Sequence, residues 1–469
     1  MRNISKKRMS YFLVVILSII TLALMSFINF STGTYAYAFT EQRHSMQRYG
    51  YSIEYSIDRT TGDIFDTRVN RTICISENFC DRAVIVTIRQ AYSADIFNLQ
   101  DFNRSSHISF DAIIEHTYNT RNAAIKFNQI LSLQLSIPSK QAVLDAIYQL
   151  EQLDKVLAAE PKFFNAYINT PNIDGRSQNA EQSNSSGDLW GLERINAFDA
   201  QYLAYSHGKG VKIGFIDGGQ VRQHTSLGER NLPGNYSGFY NFDPHPLQVA
   251  GVAAGADTGV APQAYVVSLC NDSGRGFIAT LDFAIGMGIR IINVSFGWEL
   301  VYFLDDILYQ PSAASAAAIR NFSRAGGVIV AAAGNENRHF SQRTRMTYPA
   351  GYATWPGVDN MIVVGASNQA DRRAWYGDPA NINWDSPNGS AWSATSVCVF
   401  APGDAIYTTT LTMHWYCDDC FEYYYVDNYT YMLGTSVAAP VVAILRNAEN
   451  RLNTNKNHIK QCTIQYQNV

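Results

Sequence analysis

Charge is scarce in this chain of 469 residues: Asp, Glu, Lys and Arg make up 16% of it, and the formal net charge is −4. That mildly acidic balance leaves no basic footprint on which a nucleic acid would sit. A second long apolar run is missing after Phe30, so no other segment is expected to cross a membrane as a helix. Cys417 and Cys420 form a C-x-x-C, but a second such pair is absent. No thioredoxin-like context surrounds it either, which removes the usual zinc and redox readings. A local disulfide or two free thiols is expected there instead. The cysteines number 7, and an odd count leaves one unpaired. Cys74 and Cys80 are spaced to close a small loop, while Cys270 and Cys398 end or interrupt apolar runs and are expected as buried thiols.

Apolar and aromatic residues are what the chain has in quantity. Hydrophobic residues make up 46% and aromatics 13%, with 28 Tyr among them. That length and content suit two or three domains with a sizeable core. One core cannot hold so many rings, so many are expected on faces, rims and loops.

The first segment reads as targeting sequence. Arg2, Lys6, Lys7 and Arg8 give a positive start, Tyr11 to Phe30 is almost continuously apolar, and Ala36-Tyr37-Ala38 supplies small residues for cleavage. Residues 1–38 are therefore expected to be a signal peptide, with an uncleaved membrane anchor as the alternative. Either way the remainder is expected outside the cytoplasm, secreted or extracellular, touching a membrane only if that segment is retained.

Residues 39–170 read as a small α+β unit. Ala83 to Ile88, Ile130 to Leu135 and Val156 to Phe164 have strand character, and Ser139 to Leu153 shows apolar residues at helical spacing behind a Ser cap. Residues 171–188 (PNIDGRSQNAEQSNSSGD) have almost nothing to bury and read as a linker open to proteolytic nicking. From 189 to 469 the pattern changes. Val211 to Ile216, Tyr265 to Leu269, Ile289 to Val294, Val328 to Ala332 and Met361 to Val364 are short, continuous apolar runs. Helix-like stretches, Phe277 to Gly286 and Ala313 to Ala325, lie between them. The expected fold class is α/β, a mostly parallel sheet with helices on both faces. Function in such sheets gathers at the carboxyl ends of the strands.

Four polar residues fall at such ends or at helix starts. Asp217 closes the run Val-Lys-Ile-Gly-Phe-Ile-Asp and precedes Gly218-Gly219, where the chain can turn away; a turn or capping Asp would look the same. His245 stands in Asp-Pro-His-Pro-Leu-Gln-Val-Ala-Gly, with Pro246 suited to a first helical position. Ser436 lies in Leu-Gly-Thr-Ser-Val-Ala-Ala-Pro before a helix-like stretch. It is either a cap or a nucleophile whose oxyanion its own N–H and the helix dipole would stabilise. Asn335 follows the run Val328 to Ala332 in Ala-Gly-Asn-Glu, where a side-chain amide can serve as an oxyanion donor or merely shape a turn.

Taken together these pieces, in the order Asp, His, Ser, resemble the subtilisin-like serine peptidases, the subtilases, over about Leu189 to Leu445. Gly259-Val260-Ala261-Pro262, Ile292-Asn293-Val294-Ser295-Phe296-Gly297 and Trp190-Gly191-Leu192 also match that family's segments. The resemblance implies a secreted serine endopeptidase with Asp217, His245 and Ser436 as a triad and Asn335 in the oxyanion hole. It implies strand-like hydrogen bonds from Ser295, Phe296 and Gly297, and from Ser273 and Gly274 opposite, to an extended polypeptide substrate. It further implies that 39–170 is a propeptide, a folding assistant and temporary intramolecular inhibitor, and that the precursor processes itself. No cofactor is required by this chemistry, and no metal residue is assigned. The short Gly255-Ala256-Asp257-Thr258 link has no room for a calcium insertion found in some members, which leaves calcium to an unidentified site elsewhere. Phe296 and Trp298 beside the substrate strand hint at apolar substrate side chains.

The chain also departs from the family. Where H-G-T-H-V-A-G is usual, it has H-P-L-Q-V-A-G, with Pro246, Leu247 and Gln248 as replacements. Leu433, Val437 and Val441 stand where Asn, Met and His are usual. With the Tyr-rich stretch from Trp415 to Tyr431, these changes motivate an alternative, a catalytically impaired subtilase fold kept as a binding or adhesion module.

Overall fold

The computed structural model describes residues 41–48, 51–58, 64–70, 79–103, 108–117, 127–163, 189–204, 207–235, 243–270, 276–299, 302–303, 306–307, 312–340, 347–376, 389–393, 395–417 and 422–452. The 1–38 segment and the 171–188 linker lie outside them, as do Ser273 and Gly274.

The N-terminal part contains two antiparallel sheets. Strands β1 (Glu41–Arg48), β2 (Tyr51–Asp58) and β3 (Ile64–Asn70) form a meander in that order. It was not foreseen, although Tyr51 to Asp58 (YSIEYSID) alternates apolar and polar residues strictly, which is a strand signal. Then follow β4 (Phe79–Ile88), the short helix α1 (Gln100–Asn103), β5 (Phe110–Glu115), β6 (Ile130–Leu135), helix α2 (Lys140–Leu150) and β7 (Val156–Phe163). These four strands pair in the order β5-β6-β4-β7. Ser139 caps α2 by accepting from Ala142 N at 3.0 Å. Val143, Ala146, Ile147 and Leu150 share one face of that helix at spacings of three and four and are buried, in one cluster with Val84, Val86, Leu131 and Leu133.

The larger part begins with two short helices, α3 (Trp190–Arg194) and α4 (Ala197–Ala204), and β8 (Lys212–Asp217). After β9 (Asn231–Leu232) come α5 (His245–Ala254), β10 (Tyr265–Cys270), α6 (Gly276–Gly286) and β11 (Ile291–Val294). Three two-residue strands, β12 (Trp298–Glu299), β13 (Tyr302–Phe303) and β14 (Asp306–Ile307), precede α7 (Ala313–Arg324) and β15 (Val328–Ala332). The chain continues through β16 (Thr347–Tyr348), β17 (Met361–Ser367), β18 (Val399–Pro402), β19 (Ile406–Cys417), β20 (Glu422–Met432) and α8 (Thr435–Leu452).

Seven of these strands form one sheet in the order β18-β17-β15-β11-β8-β10-β9, and every neighbouring pair is parallel. The apolar runs explain why both faces are covered. Ile213, Phe215, Val266, Val330 and Val364 face one cluster with Leu247, Val249, Val437 and Ala438 of α5 and α8. Ile216, Val267, Ile292, Ile329 and Val363 face the other, with Leu281 of α6 and Ile319 and Phe322 of α7. The α/β expectation, with helices on both faces, is therefore what the chain adopts.

Cys80 is a free thiol, and Cys74, its expected partner, lies outside the described residues. One cysteine expectation fails. Cys398 is an exposed thiol, not a buried one. It precedes β18, the edge strand of the sheet, where its N–H bonds Val363 O at 2.9 Å but no further strand covers its side chain.

The four-stranded sheet is joined to the larger part through α7. Asn128 N donates to Asn321 Oδ1 at 3.1 Å, and Asn321 Nδ2 donates back to Asn128 O at 2.9 Å. Glu160 on β7 caps the start of α7, accepting from Ala313 N at 3.0 Å, Ala314 N at 3.3 Å and the Ser312 hydroxyl. A carboxylate there satisfies otherwise orphaned helix donors and meets the positive end of the helix dipole. Ile85 and Ile130 complete the junction by joining the core of the larger part. Replacing Glu160 by Ala is expected to remove about 1–2 kcal/mol of capping energy. Hydrogen–deuterium exchange of the full chain would show it as roughly tenfold faster exchange at the first turn of α7.

Candidate active site

The carboxyl end of β8 places Asp217 in mid-sheet, between β10 and β11. Asp217 is 5% exposed, and its carboxylate is met from both sides. Gly218 N donates to Oδ1 at 2.7 Å, and His245 Nδ1 lies 2.9 Å from Oδ1 and 3.1 Å from Oδ2. His245 is the first residue of α5, and its backbone N–H donates to Asp243 Oδ1 at 2.9 Å. Burial disfavours the imidazolium, but the Asp217 carboxylate and its hydrogen bond, with Asp243 adding, outweigh that and raise the His245 pKa to about 9.

Ser436 stands in the first turn of α8 and is 7% exposed. This helix contains Pro440, which has no N–H to give to Ser436 O four residues back. The vacated acceptor is taken by Ser295 Oγ, which donates to Ser436 O at 2.6 Å and receives Asn293 Nδ2 at 2.7 Å. Ser295, expected as part of a substrate strand, thus directs its side chain inward to fix the serine turn. Phe296 packs against the core. Gly297 adjoins Thr347, and no side chain at 297 could coexist with the Thr347 methyl.

Asn335 is oriented by the same turn. Its Oδ1 accepts from Thr435 N at 2.8 Å and Thr435 Oγ1 at 3.1 Å, and Thr435 Oγ1 accepts from Gly334 N at 3.1 Å. With Oδ1 held by Thr435, a Cβ placed on Gly434 would lie 3.2 Å from both Asn335 Nδ2 and Ser436 Oγ and 3.4 Å from Asn335 Oδ1. Sequence reading selected Asp217, His245, Asn335 and Ser436; the structure joins Asp217 to His245 directly and Asn335 to Thr435, the residue before Ser436. It missed Asp243, Gly434, Thr435 and Thr347. Only Asp243 had a local signal, an acidic residue before a helix that starts with Pro.

Among the described residues, no three His, Cys, Asp or Glu side chains converge to hold a metal ion. Asp257, in the short link after α5, accepts the Tyr429 hydroxyl at 2.8 Å. No described helix is long and apolar enough to cross a membrane.

A parallel α/β sheet here carries a buried Asp–His pair at one strand end and a buried serine at a helix start, side chains of the types that nucleophilic serine hydrolases use. The subtilase family model matches residues 208–464. Subtilisin DY of Bacillus licheniformis is 31% identical over 268 residues, 54% of this chain and 81% of that protein. A thermostable alkaline protease of Halalkalibacterium halodurans is 26% identical over 316 residues, 64% of this chain and 73% of its own. Among solved structures, a cold adapted subtilisin-like serine proteinase matches 53% of this chain and 77% of its own, with 23% identity and a TM-score of 0.37. The chain belongs to the subtilase family of serine endopeptidases.

Gly434 has φ of +134°, a conformation that costs any side-chain-bearing residue energy. An added methyl would also crowd Asn335 Nδ2 and Ser436 Oγ, each at 3.2 Å. Gly434→Ala is expected to slow peptide hydrolysis by about a hundredfold or more, measured as kcat/KM on a chromogenic peptide.

Proposed function

We propose that Asp217, His245 and Ser436 form the catalytic triad of a self-processing secreted endopeptidase, with Asn335 as the side-chain oxyanion donor. The observation that carries this reading is the bidentate approach of His245 Nδ1 to the buried Asp217 carboxylate. That contact fixes the tautomer in which Nε2 is the basic nitrogen. In the reaction, Ser436 Oγ attacks the peptide carbonyl carbon while Nε2 takes its proton. Asn335 Nδ2 and the Ser436 N–H then hold the oxyanion. The imidazolium next protonates the leaving amine, the carbon–nitrogen bond breaks, and water releases the acyl group by the same steps in reverse.

The substrate is an extended polypeptide. Its backbone would pair with 295–297 on one side and, by the family pattern, with 273–274 on the other. The side chain preceding the scissile bond would enter between 295–297 and 334–336. Thr347 occupies that space: its methyl borders Gly297, and its Oγ1 would be 3.0 Å from a Cβ on Gly334. The Glu336 carboxylate also lies over Gly334, 3.5 Å from Arg338 Nη2. A pocket floored in this way suits a small apolar side chain. Thr347→Gly is expected to raise kcat/KM for peptides with Phe or Tyr at that position by tenfold or more relative to Ala, on the scale of 1–3 kcal/mol for a pocket change. Equal profiles for the two proteins in a peptide-library assay would refute this pocket.

Within the same reading, 1–38 directs export and 39–170 is the propeptide, an intramolecular inhibitor and folding assistant released by cutting in 171–188. Docking of the four-stranded sheet on α7 through Glu160 and Asn128 supports a unit that assists folding of the larger part. The decisive comparison follows the full precursor and its Ser436→Ala variant by intact mass with a fluorophosphonate probe. Wild type is expected to take up the probe and shed its N-terminal unit, and the variant to do neither. A wild-type chain that stays unlabelled after the N-terminal unit is removed would favour the binding-module alternative.

A further inference from the structure

The turn after Asp217 and the start of α5 meet at a carboxylate to which the triad gives no role. Asp243 Oδ1 accepts the His245 N–H at 2.9 Å. Its other edge rests against the Asp217 turn, where a Cβ on Gly218 would be 3.4 Å from Oδ2 and one on Gly219 would be 3.6 Å from Asp243 Cβ. Pro244 and Pro246 flank His245 and have no N–H. The His245 N–H is thus the one backbone donor across those three residues, and Asp243 takes it. Their fixed φ angles and this bond together restrict how the imidazole enters the site.

We propose that Asp243 is a positioning residue for the peptidase reaction. It locks the first turn of α5 through the His245 N–H and sets a second negative charge against the imidazole that Asp217 already holds. The proposal rests on the reading of His245 as general base. Asp217, from β8, and Asp243, from the turn before α5, are the charged groups that act on the ring. Charges on neighbouring elements are engaged elsewhere: Arg222 lies over the Tyr425 ring, Asp427 accepts from Thr225 N, and Asp257 accepts from Tyr429. An imidazole must be neutral to accept the serine proton, so kcat/KM should rise with pH and level off above about 9. Removing the Asp243 charge should move that limb to lower pH, because the charged imidazole loses one of its two stabilising carboxylates.

Asp243→Asn keeps an oxygen acceptor for the His245 N–H and removes the charge, whereas Asp243→Ala removes both. The first measurement is the NMR titration of the His245 ring in the full Ser436→Ala chain, which needs no activity. Asp243→Asn is expected to lower the midpoint by about half a unit or more. In the active chain the same change should shift the acid limb of kcat/KM downward, and Asp243→Ala should also lower the plateau relative to Asp243→Asn. A His245 midpoint that does not move in Asp243→Asn overturns the proposal. Absence of fluorophosphonate labelling in the parent chain overturns the catalytic reading of Ser436 instead, independently of the titration.

Discussion

A buried carboxylate at the end of a central strand is the constraint around which this fold is arranged. Asp217 cannot stay dry and unpaired, since an isolated buried charge is far more costly than any bond it could lose. Its partners must come from the chain immediately after it and from a helix start brought over the sheet edge. Gly218 supplies the first through its N–H. His245 supplies the second, which requires α5 to begin at the mouth of the sheet and run back across it. The small residues Ala250, Gly251, Ala253 and Ala254 let that helix lie close, and Arg230 holds its far end by donating to Ala254 O at 2.5 Å.

The serine turn solves a different problem. A proline in the second turn of α8 vacates the Ser436 carbonyl, and a buried carbonyl without a donor costs on the order of 1–3 kcal/mol. Ser295, just after β11, fills that vacancy, so β11 and helix α8 are tied by one short bond. Asn335 is held from the same helix through Thr435. One helix start therefore holds both the Asn335 amide and the Ser436 turn, which suits the proposed site, whose donors must be in place before charge develops.

Much of this was legible in the sequence because its signals are local. The runs at 211–216, 265–269 and 328–332 stand within a residue of β8, β10 and β15, and Asp217, Asn335 and Ser436 are readable as strand-end or helix-start residues. What was not legible depends on residues distant in the chain. Thr347 borders Gly297 and Gly334 only through folding, and the inward side chain of Ser295 makes sense only once Pro440 is seen four residues beyond Ser436. Cys398 was misread because an apolar neighbourhood cannot reveal that a strand is at the edge. The pairing of β19 with β20 was also hidden. Its Tyr and Thr residues have strand propensity, but the turn signal between Cys417 and Glu422 is weak.

That hairpin bears on how the altered His segment should be understood. Thr408 Oγ1 donates to Gln248 O at 2.6 Å, and Thr409 Oγ1 donates to Leu247 O at 3.0 Å. Gln248 Nε2 in turn donates to Thr410 Oγ1 at 3.1 Å. Two of the positions where the chain departs from the family pattern, Leu247 and Gln248, are thus gripped by the hairpin, within one turn of His245. The opposite strand of the hairpin is fastened at the same level, through Asp427 to Thr225 N and His224 Nε2 to Asn428 O. If the His segment had merely decayed, its replacements would be expected to leave buried polar atoms unmatched. Gln248 is instead buried with its amide engaged. The substitutions and the hairpin read as parts of one rebuilt support for His245, which weighs toward a working site over an idle one.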